Sequence, residues 1–130
     1  MANIGQAAKA TGVSEKMIRH YEAIGLLKRV ARTGSNYRVY GEAELHTLRF
    51  IKRGRTLGFS IEDIRALLSL WQNKSRSSAA VKKIAAGHVA ELQKKIAEMQ
   101  AMVGTLSHLT HHCHGDQRPD CPILEDLARE

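Results

Sequence analysis

Residues 3–27, NIGQAAKATGVSEKMIRHYEAIGLL, decide how the chain is read. Asn3 followed three residues later by Gln6 has the form of a capping box, in which each side chain satisfies a backbone N–H that a helix start leaves free. The helix it opens, residues 4–10, runs out at Gly12, a residue at ease in the left-handed conformation that closes helices. After the turn Thr11-Gly12-Val13, Ser14 is positioned to accept from the free N–H groups of a second helix, residues 15–23, which stops before Gly25. Two short helices thus meet across a tight glycine-containing turn. In the second helix Ile18 and Tyr21 recur at a spacing of three and make an apolar side, while Lys16, Arg19 and His20 fall on other faces. A helix that packs on one side and shows cations on another suits the DNA major groove.

The following stretch, RVARTGSNYRVY (29–40), centres on the turn Gly34-Ser35-Asn36 and carries Tyr37, Val39 and Tyr40 on its return arm. It reads as a hairpin wing, with Arg32 and Arg38 flanking a tip that reaches phosphates and the Tyr37 hydroxyl adding a contact. Tyr37 and Tyr40 fit a core position equally well. Residues 42–55 form a third helix, with Leu45, Leu48, Phe50 and Ile51 on or near one face and Arg49, Lys52, Arg53 and Arg55 around it; Gly58 breaks it. Ser60 and Asp63 then supply a capping box for residues 61–71, where Ile64, Leu67, Leu68 and Trp71 at helical spacing read as core.

The net charge of +7 is unevenly distributed. Residues 1–58 hold eleven Lys/Arg against four Asp/Glu, and residues 59–130 hold nine of each, so the whole excess, 11 − 4 = 7, lies in the first half. A basic surface confined to one part of a chain is the footprint of a polyanionic partner, since Lys and Arg displace the counterions condensed on phosphates. A solvated basic surface is the alternative from charge alone. No run of eighteen apolar residues is present, and MANIGQAAKATG lacks the basic-then-apolar layout of a signal peptide, so the expectation is a soluble, cytoplasmic protein without a membrane segment. In a reducing cytosol the two cysteines are expected to be a metal or redox pair rather than a structural disulfide.

Residues 81–110 contain no proline, and their only glycines are Gly87 and Gly104. A helix of that length spans roughly 45 Å. Ala85, Val89, Leu92, Ile96, Met99, Val103 and Leu106 alternate four- and three-residue steps, a heptad stripe that a lone helix cannot bury and a two-chain coiled coil can. The two glycines each weaken the helix by about 1 kcal/mol without overturning it. Met99 and Met102 are read as core filling, not as thioether ligands.

Beyond it, HHCHGDQRPDCPIL (111–124) sets Cys113 and Cys121 with seven residues between them, around a loop with turn residues Gly115 and Pro119. Pro122 suits the first position of a short helix, residues 122–127, making Cys121 its N-cap, where free N–H groups and the helix dipole favour a thiolate. Two thiolates with one monovalent ion leave a net charge of −1, compatible with linear Cu(I), Ag(I) or Au(I), whereas Zn(II) normally takes four ligands. His108, His111, His112 and His114 are available to complete a Cys/His zinc site, or stand solvated at a helix end.

In order and register, MIRHYEAIGLL, the wing GSNYRVY, LHTLRFIKRGRTLGFSIEDIRALLSLW, the long helix and the terminal loop closely resemble the MerR family of transcription regulators across essentially the whole chain. The resemblance implies a mainly α protein in three segments: residues 1–73 a winged helix-turn-helix DNA-binding domain, 74–111 a dimerisation helix pairing as an antiparallel coiled coil, and 112–130 a metal-binding loop with a short C-terminal helix. It implies a homodimer on double-stranded promoter DNA, with Lys16, Arg19, Tyr21, Tyr37, Arg38 and Arg55 as DNA contacts. Metal binding would favour a conformation that distorts the DNA and aligns promoter elements for RNA polymerase. CHGDQRPDCPIL looks like the loop of the copper-responsive branch, whose cysteines, here Cys113 and Cys121, bind Cu(I). In the divalent-sensing branch a third cysteine begins the long helix; Ser78 in SRSSAAVKK stands at that place, removing a ligand and a negative charge. His114 departs from a common copper-branch loop and keeps a three-coordinate mode open. A divalent, zinc-type regulator and a thiol-redox regulator in which Cys113 and Cys121 cycle to a disulfide are the competing readings. An enzyme is not expected: His112 and His114 beside Cys113 come with no oxyanion or phosphate-binding motif.

Overall fold

Asn3 begins the structure as its spacing to Gln6 dictates. In the computed structural model, which describes residues 2–28, 38–73 and 75–129, the Asn3 side chain accepts from the Gln6 N–H at 2.8 Å and the Gln6 side chain accepts from the Asn3 N–H at 2.9 Å. The described residues form six helices: α1 (Ile4–Thr11), α2 (Glu15–Ala23), α3 (Glu42–Thr56), α4 (Ile61–Gln72), α5 (Ser78–His112) and α6 (Pro122–Ala128). The first four helices are each opened by a side chain that satisfies a free N–H at the start. The Ser14 hydroxyl accepts from Met17 N–H at 3.2 Å, Ser60 accepts from Asp63 N–H at 3.0 Å, and Glu44 reaches back to the Gly41 N–H at 2.9 Å. Gly12, Gly25 and Gly58 close their helices with φ of +73°, +76° and +86°, values an L side chain rarely tolerates.

The chain divides into two compact units, Met1–Ile84 and Ala85–Glu130. In the first, Ile18, Leu27, Tyr40, Leu48, Ile51 and Ile64 are the largest fully buried side chains, drawn from α2, α3, α4 and the segments between them. Close approach of α3 and α4 depends on Gly54: a Cβ there would stand 3.0 Å from Ile64 Cγ1. The expected wing falls largely on residues 29–37, outside the described residues, so Arg32, the Gly34-Ser35-Asn36 turn and Tyr37 are not placed. Its base is placed. Tyr40 exchanges two backbone hydrogen bonds with Ala2, at 2.9 and 2.7 Å, and its ring is fully buried, so of the two readings open to it the core is the one realised.

Trp71 corrects an expectation. Read as core from its spacing, it is 50% exposed: it sits in the last turn of α4, beyond the cover of the other helices, and stacks on His46 of α3 with ring centroids 5.5 Å apart. The Arg76 guanidinium lies 5.5 Å from its ring centroid. An open groove of about 720 Å³ runs past Trp71, Phe50, Leu67 and the first turns of α5, including Ser78 and Val81.

The second unit is built differently. Among its described residues none is buried, and the heptad stripe is bare, with Val89 51%, Ile96 54%, Met99 63% and Val103 63% exposed. α5 starts three residues before and ends two residues after the expected span, because the Ser77 hydroxyl accepts from Ala80 N–H at 3.3 Å and extends its start. No helix among the described residues is long and apolar enough to cross a membrane.

Candidate functional site

Lys16, Arg19 and His20 occupy the exposed side of α2, with Met17 beside them, while Ile18 and Tyr21 turn into the core. A shallow groove of about 460 Å³ beside this helix is lined by Ser14, Met17, Tyr21, Lys52, Arg55 and Thr56. Three cations of the unit are anchored on backbone carbonyl oxygens. Lys52 Nζ donates to Gly12 O at 3.1 Å, Arg55 Nη1 to Phe59 O at 2.9 Å and Arg65 Nη2 to Ile24 O at 2.9 Å. Lys52 thereby fixes the turn between α1 and α2, and Arg65 fixes the end of α2. These bonds direct the three cations to set positions on the surface of the unit.

The residues assigned to DNA from the sequence are dispersed in character. Lys16, Arg19 and Arg55 are exposed; Tyr21 is 6% exposed, its ring committed to the core with one edge on the groove; Tyr37 lies outside the described residues. Arg38 is held. Its Nε approaches Glu22 Oε2 to 2.9 Å without the alignment of a hydrogen bond, so the contact is an ion pair. The same carboxylate oxygen accepts from the Tyr40 hydroxyl at 3.4 Å. Burial, with the Glu22 charge adding to it, pushes the Tyr40 hydroxyl up to about 12. Glu22 was not singled out by the sequence reading, because the partners that give it a role lie 16 and 18 residues away (38 − 22 and 40 − 22) across the undescribed segment.

At the other end of the chain, Cys113 follows the last turn of α5 and donates its N–H to Thr110 O at 3.2 Å. Cys121 is the N-cap of α6, its carbonyl accepting from Glu125 N–H at 3.0 Å and its side chain making no capping bond. Between them Gly115 takes φ +66°, and Asp116 accepts from both the Arg118 N–H at 2.9 Å and Arg118 Nε at 2.8 Å, which tightens the loop. Both cysteines are free thiols of intermediate exposure. Among the described residues no three His, Cys, Asp or Glu side chains converge as a metal-binding set; the two thiols are soft donors by their chemistry. Such a pair fits a two-coordinate soft ion by its chemistry.

Two short helices joined at a glycine turn, with cations outward and a packed support behind, define a helix-turn-helix DNA-binding regulator. The chain belongs to the MerR family: residues 2–71 match the MerR HTH family regulatory protein description, and residues 45–109 match the MerR DNA-binding description. It is 58% identical to heavy metal-dependent transcription regulator 2 of Rhizobium meliloti (strain 1021), over 97% of this chain and 86% of that protein. It is 38% identical to the HTH-type transcriptional regulator CueR of Salmonella typhimurium (strain LT2), over 97% of this chain and 91% of that protein. Among solved structures, the transcription regulator PbrR691 from Ralstonia metallidurans CH34, in complex with lead(II), superposes with a TM-score of 0.86 at 32% identity, covering 98% of this chain and all of that one.

Proposed function

We propose that this chain is a cytoplasmic, metal-responsive regulator that binds promoter DNA as a homodimer and activates copper-resistance or efflux genes when Cu(I), or Ag(I) or Au(I), binds Cys113 and Cys121. The observation that carries the reading is the pair of free thiols at the two ends of a loop tightened by Gly115 and Asp116. When bound, the ion supplies two thiolate bonds that tie the end of α5 to the start of α6. Support for metal response as such comes from the heavy metal-dependent relative. Ser78 at the start of α5 supports a monovalent ion, because a third thiolate there would add a ligand and a negative charge. Lys16, Arg19, Tyr21, Tyr37, Arg38 and Arg55 are the proposed DNA contacts, with Arg38 positioned through Glu22. RNA polymerase at the promoter is the proposed downstream partner. The coupling requires only that the ion bind one of two conformations more tightly.

A divalent-metal response is the second reading, favoured by the likeness to the lead(II) complex. Transcription from the cognate promoter, titrated with Cu(I), Ag(I), Zn(II) and Hg(II), separates the two. Activation by Cu(I) and Ag(I) is expected, lost in Cys113→Ser and Cys121→Ser while DNA binding persists. Activation by Zn(II) alone, or a double variant that still responds to Cu(I), would overturn the assignment.

A further inference from the structure

His108 and His112 stand one turn apart near the end of α5, both exposed, with ring centroids 4.3 Å apart at an interplanar angle of 65°. Side chains four residues apart on a helix are neighbours, so two imidazoles at this spacing come within reach of one ion by side-chain rotation alone. The pair lies off the apolar stripe. Counting Val89, Ile96 and Val103 as one heptad position and Leu92, Met99 and Leu106 as the other, His108 and His112 fall on the outward side, so covering the stripe with a second helix leaves both rings free. They are also distinct from the thiols in donor type: imidazole suits borderline divalent ions, and thiolates suit Cu(I).

We infer that His108 and His112 form a second metal site, a two-imidazole clip for a borderline divalent cation such as Zn(II) or Ni(II), with water filling the remaining positions. It is separate from the cysteine pair and stands whether or not that pair senses Cu(I). An ion held there ties residues 108 and 112 together and so stabilises the last turn of α5, the turn in which Thr110 O accepts the N–H of Cys113. His111 has its ring centroid 5.5 Å from that of His112, farther than His108, and is not a ligand.

The test uses the full-length chain carrying Cys113→Ser and Cys121→Ser, so that no thiol competes. Titration with Zn(II), followed by calorimetry and by the imidazole proton resonances, is expected to show saturable binding of one ion per chain, with the resonances of His108 and His112 shifting together. Loss of a ligating imidazole exceeds the loss of a supporting group, so His108→Ala and His112→Ala are each expected to weaken binding by at least about tenfold, with helix content unchanged. His108→Gln, which keeps a helix-forming side chain, is expected to do the same. His111→Ala is expected to leave the affinity within about twofold, the scatter of context effects at a site where no ligand is lost. Absence of saturable binding, binding that survives loss of both His108 and His112, or an equal loss in His111→Ala would each overturn the proposal.

Discussion

The two units of this chain solve opposite problems. In the first, short helices with poor intrinsic stability are stabilised by a core in which Ile18, Leu48, Ile51 and Ile64 reach essentially zero exposure. In the second, residues 85–112 of α5 close their own backbone hydrogen bonds and none is buried, leaving Ile96, Met99 and Val103 more than half exposed. The first unit buries a core of its own within one chain. The second holds an apolar stripe that water disfavours and that a second copy would cover, which is why the proposed homodimer rests on α5 and not on the helix-turn-helix.

The contrast is sharpest under core truncation. Ile51→Ala, which empties a fully buried position, is expected to cost the first unit about 2–5 kcal/mol in urea unfolding, whereas the same change at Ile96 should leave that unit's transition in place. Next in size, Ile96→Asp buries a charge in the proposed pairing and is expected to raise the dimer dissociation constant by roughly 100-fold in sedimentation equilibrium. A dimer that survives it would break the comparison, since the stripe would not be the interface.

A smaller effect is read from pH. Tyr40 holds its proton more tightly when folded, about 12 against 10.0. Its contribution to stability is therefore fully present below pH 10 and lost as pH rises through about 12. Tyr40→Phe keeps the ring and is expected to remove this component, seen as a shallower alkaline decline in unfolding midpoint than the unsubstituted protein; equal declines would deny the buried hydroxyl its role. The smallest change belongs to α5. Nothing lies within 4 Å of a Cβ added at Gly87, so Gly87→Ala is expected to raise the thermal stability of the second unit by at most about 1 kcal/mol, without effect on the first.

Local chemistry was readable where it acts locally. Asn3, Ser14 and Ser60 announced three helix starts, Gly12 and Gly58 announced two ends, and the spacing of Ile18 and Tyr21 announced the packed side of α2. That spacing turned the Tyr21 ring toward the core, where it is 6% exposed. Periodicity failed at Trp71 because spacing identifies a helix face and not how far its cover extends. It carried no signal for the long-range ties of Glu22, Lys52 and Arg65, whose partners are chosen by the fold. The cysteine loop was legible as a thiol pair around turn residues; the ion it takes depends on donor geometry that no spacing encodes.

Lys52 reaches Gly12 across 40 residues and Arg65 reaches Ile24 across 41. The helix pair that would read DNA is therefore fastened by segments made long after it in synthesis, and Tyr40 must return to Ala2 before the first strand of backbone is held. Although every regular element among the described residues is a helix, the route to the native state is non-local: the chain must close long loops before its contacts reward them, and it should fold more slowly than a simple bundle of neighbouring helices. A nascent chain that ends before α3 carries a helix-turn-helix in sequence and lacks its anchors.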